Sequence, residues 1–197
     1  PAVRCSRRHP SQDTDYLERS LLETQKVIDI TRDLNNFFPH QKRPMIVANI
    51  GGFSMDEPIE KKQKTKYYEE FEKSLTKLDL EGVELIPQTM APFPWHFGGQ
   101  SYHNLFVDPN EISDFCIKTG YRICLDISHA KLTCNYNDWD FEHYIRKVAP
   151  YTAHIHISDS YGTDGEGVQV GEGEIDFTNM FKCLDKYFCI FYYTIFI

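Results

Sequence analysis

Several things are missing from this 197-residue sequence, and each absence removes a class of protein. The six cysteines (Cys5, Cys116, Cys124, Cys134, Cys183 and Cys189) form no CxxC pair. Neither a zinc-ribbon nor a thioredoxin-type spacing is present, and no metal-type pairing of cysteines stands out. There is no secretory pattern at the N-terminus and no Asn-x-Ser/Thr acceptor site. These absences predict free thiols in a reducing compartment, and hence a cytoplasmic protein. Positive charge is scarce: 21 Lys and Arg stand against 29 Asp and Glu, a net charge of −8. Nucleic-acid binding relies on clustered cations against phosphate, so it is disfavoured. The basic stretch "RCSRRHP" is short, and "EKKQKTK" is interleaved with Glu as on a solvated helix face. A bilayer span needs about 20 apolar residues. The apolar run "YFCIFYYTIFI" has 11, so no membrane partner is expected.

What is present fits one globular domain covering residues 1–197, with 41% hydrophobic and 25% charged residues. The tail at 187–197 is atypical: it reads as a buried strand or an aberrant end, and exposed it would invite aggregation. Five runs have the apolar, β-branched character of strands: "PMIVANI" (44–50), "GVELIPQ" (82–88), "YRICLDI" (121–127), "TAHIHIS" (152–158) and "KYFCIFYYTIF" (186–196). Helix-like segments lie between them. The first, over 15–37, puts Leu17, Leu21, Ile28 and Leu34 near one face. The second follows Pro58, and the third is framed by Asp108-Pro109 and Gly120. A fourth is stopped by Pro150, and a last one covers about 177–185. The strands recur every 30 to 39 residues with one helix between each pair. That rhythm predicts βα units and a parallel sheet. No GxGxxG or P-loop follows a strand, so a nucleotide-binding version lacks support.

In parallel α/β folds, chemistry gathers beyond the carboxyl ends of the strands. Here those ends carry Asn49 before Gly51-Gly52; Gln88 before "TMAPFPWHFGGQSYHN"; Asp126, Ser128 and His129; and His156, Ser158, Asp159 and Ser160. Asp126 and His129 have the spacing D-x-x-H, and His156 stands one strand over. A carboxylate and imidazoles suit a divalent ion such as zinc or manganese. The blander alternatives are a helix-capping Asp and hydrogen-bonded core histidines. His154 shares strand parity with His156 but lies deeper, and reads as an interior His. Glu84 lies about 13 Å below Gln88 at strand rise and is given no catalytic role. Phe93, Trp95, His96, Phe97 and Tyr102 offer aromatic faces that stack on sugars, or else a hydrophobic cluster over the mouth. The Gly-rich run 162–173 frees backbone N–H groups for an anion, or is a flexible connection.

"CLDISHAKL" followed by "HIHISDS…GVQVGEGEIDF" resembles the xylose isomerase-like TIM barrels, a group of sugar isomerases and epimerases, sugar-phosphate relatives and endonuclease IV-like enzymes. The resemblance covers residues 44–180. It implies an α/β fold of the (β/α)8 type, with the five runs as strands four to eight. The barrel would then be incomplete, lacking its N-terminal βα units and with an aberrant last strand. Family strand six ends in Asp-x-x-His, matching Asp126 and His129; strand seven carries His156 before Ser158-Asp159-Ser160. Departures accompany the match. Gln88 stands where the family has a metal-binding Glu, and Gln cannot serve as a general base. Asn49 replaces the strand-four His of endonuclease-like members. The Asp-x-His expected before "VGEG" is absent, leaving Asp164 and Glu166 as substitutes, and the strand-eight Glu has no match.

By this resemblance the chain is a metal-dependent sugar or sugar-phosphate isomerase or epimerase, acting by proton transfer next to a carbonyl. Asp126, His156 and Gln88 would hold a divalent metal (Mn, Zn, Co or Mg), with His129 as the catalytic residue. Trp95, His96, Asn49, Ser158, Asp159 and Glu166 would contact a small carbohydrate. The alternatives are a non-catalytic carbohydrate-binding barrel or an inactive fragment whose unpaired edges would pair with another copy, giving a homo-oligomer. An endonuclease IV-like DNA-repair role is disfavoured by the charge and by Asn49.

Overall fold

The structure, a computed structural model, describes residues 10–38, 40–96 and 99–187. Four parallel strands stand side by side in chain order: β1 (Met45–Ala48), β2 (Glu84–Pro87), β3 (Ile123–Asp126) and β4 (Thr152–His156). β1 pairs with β2 in register Val47↔Ile86, and β3 with β4 in register Asp126↔His156. A bridge between Gln88 and Cys124 joins the two pairs. Four of the five expected strand runs are therefore strands; most of the fifth, at 188–196, lies outside the described residues. Sequential parallel neighbours linked by helices are the wall of a (β/α) barrel.

Alternation along each strand divides the wall into two faces. Leu85, Ile123 and Leu125, with Ala48, join the core under the helices, where Phe106, Phe115, Ile145 and Val148 are also buried. The opposite face carries Glu84, Ile86 and Gln88 on and after β2, and Arg122, Cys124 and Asp126 along β3. Across from these, β4 places His154 and His156. In its lowest row Arg122 donates two hydrogen bonds to Glu84, at 2.8 and 2.6 Å. That pairing accounts for a carboxylate deep on the inner face.

The helices are α1 (Pro10–Leu34), α2 (Lys61–Leu75), α3 (Pro109–Thr119), α4 (Ile127–Asn137), α5 (Phe141–Val148) and α6 (Phe177–Leu184). Of the apolar set expected on one face of α1, Ile28 is fully buried while Leu34 is 52% exposed. Six residues carry Leu34 about 240° round the helix from Ile28, off the packed face. Helix α2 begins three residues after Pro58, and its Tyr68 and Phe71 rings pack on Phe106 and Phe115. Helix α3 has the expected caps: the Asp108 carboxylate accepts from Asn110 N, and Gly120 takes the left-handed conformation at φ 75°.

Two features depart from the regular rhythm. Between β3 and β4 there are two helices rather than one, because α4 starts directly on the last residue of β3. The Gly-rich run is no loose connection either. Gly165–Val168 pairs antiparallel with Asp159–Tyr161 to make a hairpin over the carboxyl ends of the strands. A further antiparallel pair, Phe53–Ser54 with Tyr102–His103, and a second hairpin, Trp95–His96 with Gly99–Gln100, lie beyond the ends of β1 and β2.

Candidate functional site

Asp126 is the pivot of the site. It ends β3 and caps α4, so its two carboxylate oxygens have separate duties. Oδ1 accepts the backbone N–H of His129 at 3.1 Å, which is the helix cap. Oδ2 faces the strand ends, where Gln88 Nε2 donates to it at 3.0 Å and His156 Nδ1 stands 3.5 Å away. The capping role and the site role are thus both present, one on each oxygen. Burial raises the Asp126 carboxyl, but the hydrogen bond from His156 and the charge and backbone N–H of His129 outweigh it. The group is held below the usual carboxylate range.

His129 is nearly enclosed. Its Nδ1 lies 2.7 Å from the Thr89 carbonyl oxygen and its Nε2 2.8 Å from Glu166 Oε1. Both neighbours accept only, so both ring nitrogens must donate and the ring is an imidazolium. The Gln88 amide nitrogen 3.4 Å from Nδ1 is then a second donor facing a donor, and its hydrogen bond goes to Asp126 instead. Burial lowers the His129 pKa. The Glu166 hydrogen bond and the Asp126 and Glu166 charges more than reverse this, raising it to about 9. Thr89 braces the arrangement from a third side, its Oγ1 accepting the Asp126 N–H at 2.9 Å.

Glu166 reaches His129 from the hairpin, which the Gly-rich run makes possible. The Asp159 carboxylate, 0% exposed, accepts the N–H groups of Ser160 (2.8 Å), Gly171 (3.0 Å), Gly173 (2.9 Å) and Ile175 (3.1 Å). Burial works against its ionisation, and these four donors hold its pKa below the ordinary value. The anion-binding capacity expected of the Gly-rich run is therefore met by a carboxylate of the chain itself. Gly167 N donates to Ser128 Oγ at 3.3 Å, tying the hairpin to α4. Glu166, with 47% of its side chain exposed, lines a cleft of about 340 Å³ with Phe93, Pro94, Leu132, Thr163 and Asp164.

The structure brings together Gln88, Asp126, His129, His156 and Glu166 of the sequence-predicted set. Asn49 is exposed at the end of β1, and Ser158 is half-buried just after β4. Asp159 lies beneath the hairpin with its carboxylate engaged by backbone. Trp95 and His96 form half of a hairpin strand, but their side chains lie outside the described residues. Phe97 is likewise outside them. Phe93 and Tyr102 pack at 4.7 Å between ring centroids.

Two participants were not legible as such. Thr89 follows Gln88 and acts partly through its main chain. Cys124, fully buried, pairs in register with His154, and one ligand atom each from Cys124, His154 and His156 lie within 4.8 Å of one another. Writing "ICLD" beside "AHIH" in parallel register would have revealed that juxtaposition. As donors for a divalent ion, Asp126 Oδ2, His156 and a reoriented Gln88 amide offer one carboxylate, one imidazole and one neutral oxygen. Magnesium and manganese prefer oxygen-rich shells, whereas zinc and cobalt accept imidazole and few ligands. With two oxygens and one imidazole among its three donors, the set suits a divalent ion without selecting between the two kinds.

The chain belongs to the xylose isomerase-like TIM barrel family, whose model matches residues 3–188. Among solved structures it is similar to a D-tagatose 3-epimerase-like protein. The TM-score is 0.62 at 16% identity, covering 91% of this chain and 61% of that one. It is also similar to an L-ribulose 3-epimerase (TM-score 0.58, 20% identity, 86% and 51% covered). A third is a xylose isomerase domain protein from Planctomyces limnophilus (TM-score 0.50, 17% identity, 85% and 57% covered). At these identities the likeness is one of fold, and the chain spans between half and about three-fifths of the length of these structures. No curated protein matches the chain. No helix among the described residues is long and apolar enough to cross a membrane.

Proposed function

We propose that this barrel is a sugar or sugar-phosphate isomerase or epimerase in which the Glu166–His129 pair moves a proton at the carbon beside a carbonyl. The observation that carries the reading is the 2.8 Å contact between His129 Nε2 and Glu166 Oε1 at the edge of the cleft. Glu166 is the member that reaches the cleft, and as a carboxylate it takes the proton from carbon. His129 stands behind it as an imidazolium, its Nε2–H holding the carboxylate in place, and the protonated Glu166 returns the proton to the neighbouring carbon. Asp126 and Thr89 fix the ring from the far side.

A single acid–base pair moves a proton within one face of the substrate. An aldose–ketose isomerisation needs only that, whereas an epimerisation also needs delivery to the opposite face. The pair therefore supports isomerisation most directly. A divalent ion held by Asp126 and His156, with Gln88 turned to present its oxygen, would polarise the substrate oxygens. We read Asn49, Ser158, Trp95 and His96 as the contacts for the sugar, and Asp159 as acting through the hairpin it braces. The four described free cysteines are all buried, which fits a reducing, cytoplasmic setting.

The test is solvent deuterium incorporation, read by NMR, with ketoses and aldoses including tagatose and ribulose, after loading with zinc or cobalt. Exchange at the carbon beside the carbonyl, lost in Glu166→Gln, supports the reading. No exchange on any sugar, with saturable sugar binding retained, overturns it in favour of a carbohydrate-binding barrel. Gln88 is the observation favouring that second reading, since an amide occupies a place where the resemblance implies a basic carboxylate.

A further inference from the structure

Cys124 and His154 take no part in the proton transfer described above, and His156 enters it only as a ligand of the ion beside Asp126. Cys124 sits on β3 and His154 directly opposite on β4; His156 follows two residues on, pointing the same way. The His154 and His156 rings meet at 5.1 Å and 89°. One sulfur and two ring nitrogens lie within 4.8 Å of one another on the inner face, one row below Asp126. A tetrahedral zinc ion with bonds of about 2.0–2.3 Å separates its ligands by about 3.3–3.8 Å. The three groups are thus about 1 Å from a coordinating arrangement, a distance that side-chain rotation covers.

We propose that Cys124, His154 and His156 form a thiolate–bis-imidazole site for a thiophilic divalent cation of the zinc class, with a fourth position open toward the strand ends. Sulfur and imidazole select zinc and cobalt over magnesium, calcium and manganese, which seek oxygen. Two of the three ligands come from one strand and the third from its hydrogen-bonded neighbour, so the backbone ladder fixes their spacing before any ion arrives. On binding, the Cys124 S–H ionises, its proton passes to solvent, and a sulfur–metal bond replaces it. His156 belongs to both rows, its Nδ1 standing 3.5 Å from Asp126 Oδ2. An ion in the lower row therefore lies next to the carboxylate of the upper one. Neither Cys124 nor His154 belongs to the Asp126–His129–Glu166 chain, so a signal from the Cys124 thiolate is independent of the proton-transfer reading, while His156 is shared with the ion proposed beside Asp126.

The experiment is titration of the metal-free full chain with Co²⁺, followed by absorbance. A sulfur-to-cobalt charge-transfer band in the near ultraviolet, saturating at about one ion per chain, is expected. Cys124→Ser should abolish the band and weaken zinc binding at least tenfold, while Cys134→Ser, whose thiol lies on α4, should leave the band in place. Where Cys124→Ser fails to fold, zinc absorption-edge spectroscopy on the wild-type chain gives the same information. A sulfur scatterer at about 2.3 Å supports the site. Cobalt bound without a sulfur band, a band that survives Cys124→Ser, a zinc shell of nitrogen and oxygen alone, or no binding at all would each overturn it. Deuterium exchange into sugar is not read in this experiment, so failure here leaves the proposed function to its own test.

Discussion

His129 Nε2 and Glu166 Oε1 stand 2.8 Å apart although 37 residues separate them, one on the first turn of α4 and the other on the hairpin beyond β4. Neither element alone makes a site. The helix supplies an enclosed imidazolium, and the hairpin brings a carboxylate that is open to the cleft.

If that pair moves the proton, Glu166→Gln should lower turnover by about 10²–10⁴-fold, the usual range for a general acid–base group. Sugar affinity should stay within a few-fold, because Gln keeps the shape and one acceptor. Steady-state kinetics with the best sugar, and titration of the same sugar by NMR, separate the two effects.

The hairpin depends on Asp159. Asp159→Ala would leave the N–H groups of Ser160, Gly171, Gly173 and Ile175 without their acceptor, those of Ser160 and Ile175 being buried, and should cost about 2–4 kcal/mol. Gly173→Ala should act similarly, since a Cβ there would run into the Asp159 carboxylate and the Ser160 carbonyl. Chemical denaturation measures both. Amide exchange should accelerate first at residues 171, 173 and 175.

The same carboxylate sets an acid limit. Its folded pKa lies below the ordinary Asp value of about 3.9, so its contribution is complete above that pH. It is lost as the pH falls through the folded value. Denaturation midpoints followed from pH 6 down to pH 3 should fall more steeply for the wild-type chain than for Asp159→Asn. Parallel curves would contradict the assignment.

Much of the wall was legible, since β1 to β4 are the apolar runs between turn residues and their spacing demands crossover helices. Helix α4 was not. Its "ISHAKLTCNYN" places Ile127, Ser128, His129, Ala130, Leu132, Thr133 and Cys134 in the interior, so no polar face marks it as a helix. The hairpin was hidden because glycine and glutamate have low strand propensity; what stabilises it is the distant ladder to Asp159, which no local rule reads. The Asp126–His129–His156 part of the site was visible from strand-end position and spacing. The part contributed by Glu166 depends on that hairpin, and Thr89 acts partly through its main-chain carbonyl, which composition does not distinguish.

Gln88 gives a reverse test. Its Nε2 donates to Asp126 Oδ2 at 3.0 Å, so Gln88→Glu would set two carboxylates against each other. The metal-free variant should melt at a lower temperature than the wild-type chain, and added Zn²⁺ or Co²⁺ should raise its midpoint more than it raises that of the wild type. Scanning calorimetry with and without the ion decides this.

Deuterium incorporation from solvent into a ketose or aldose by the metal-loaded full chain, compared with Glu166→Gln, tests whether this carboxylate moves the proton. Exchange should be confined to the carbon beside the carbonyl and be lost in the variant. Exchange that continues unchanged in Glu166→Gln would contradict that role, because the proton would then be moving through some other group.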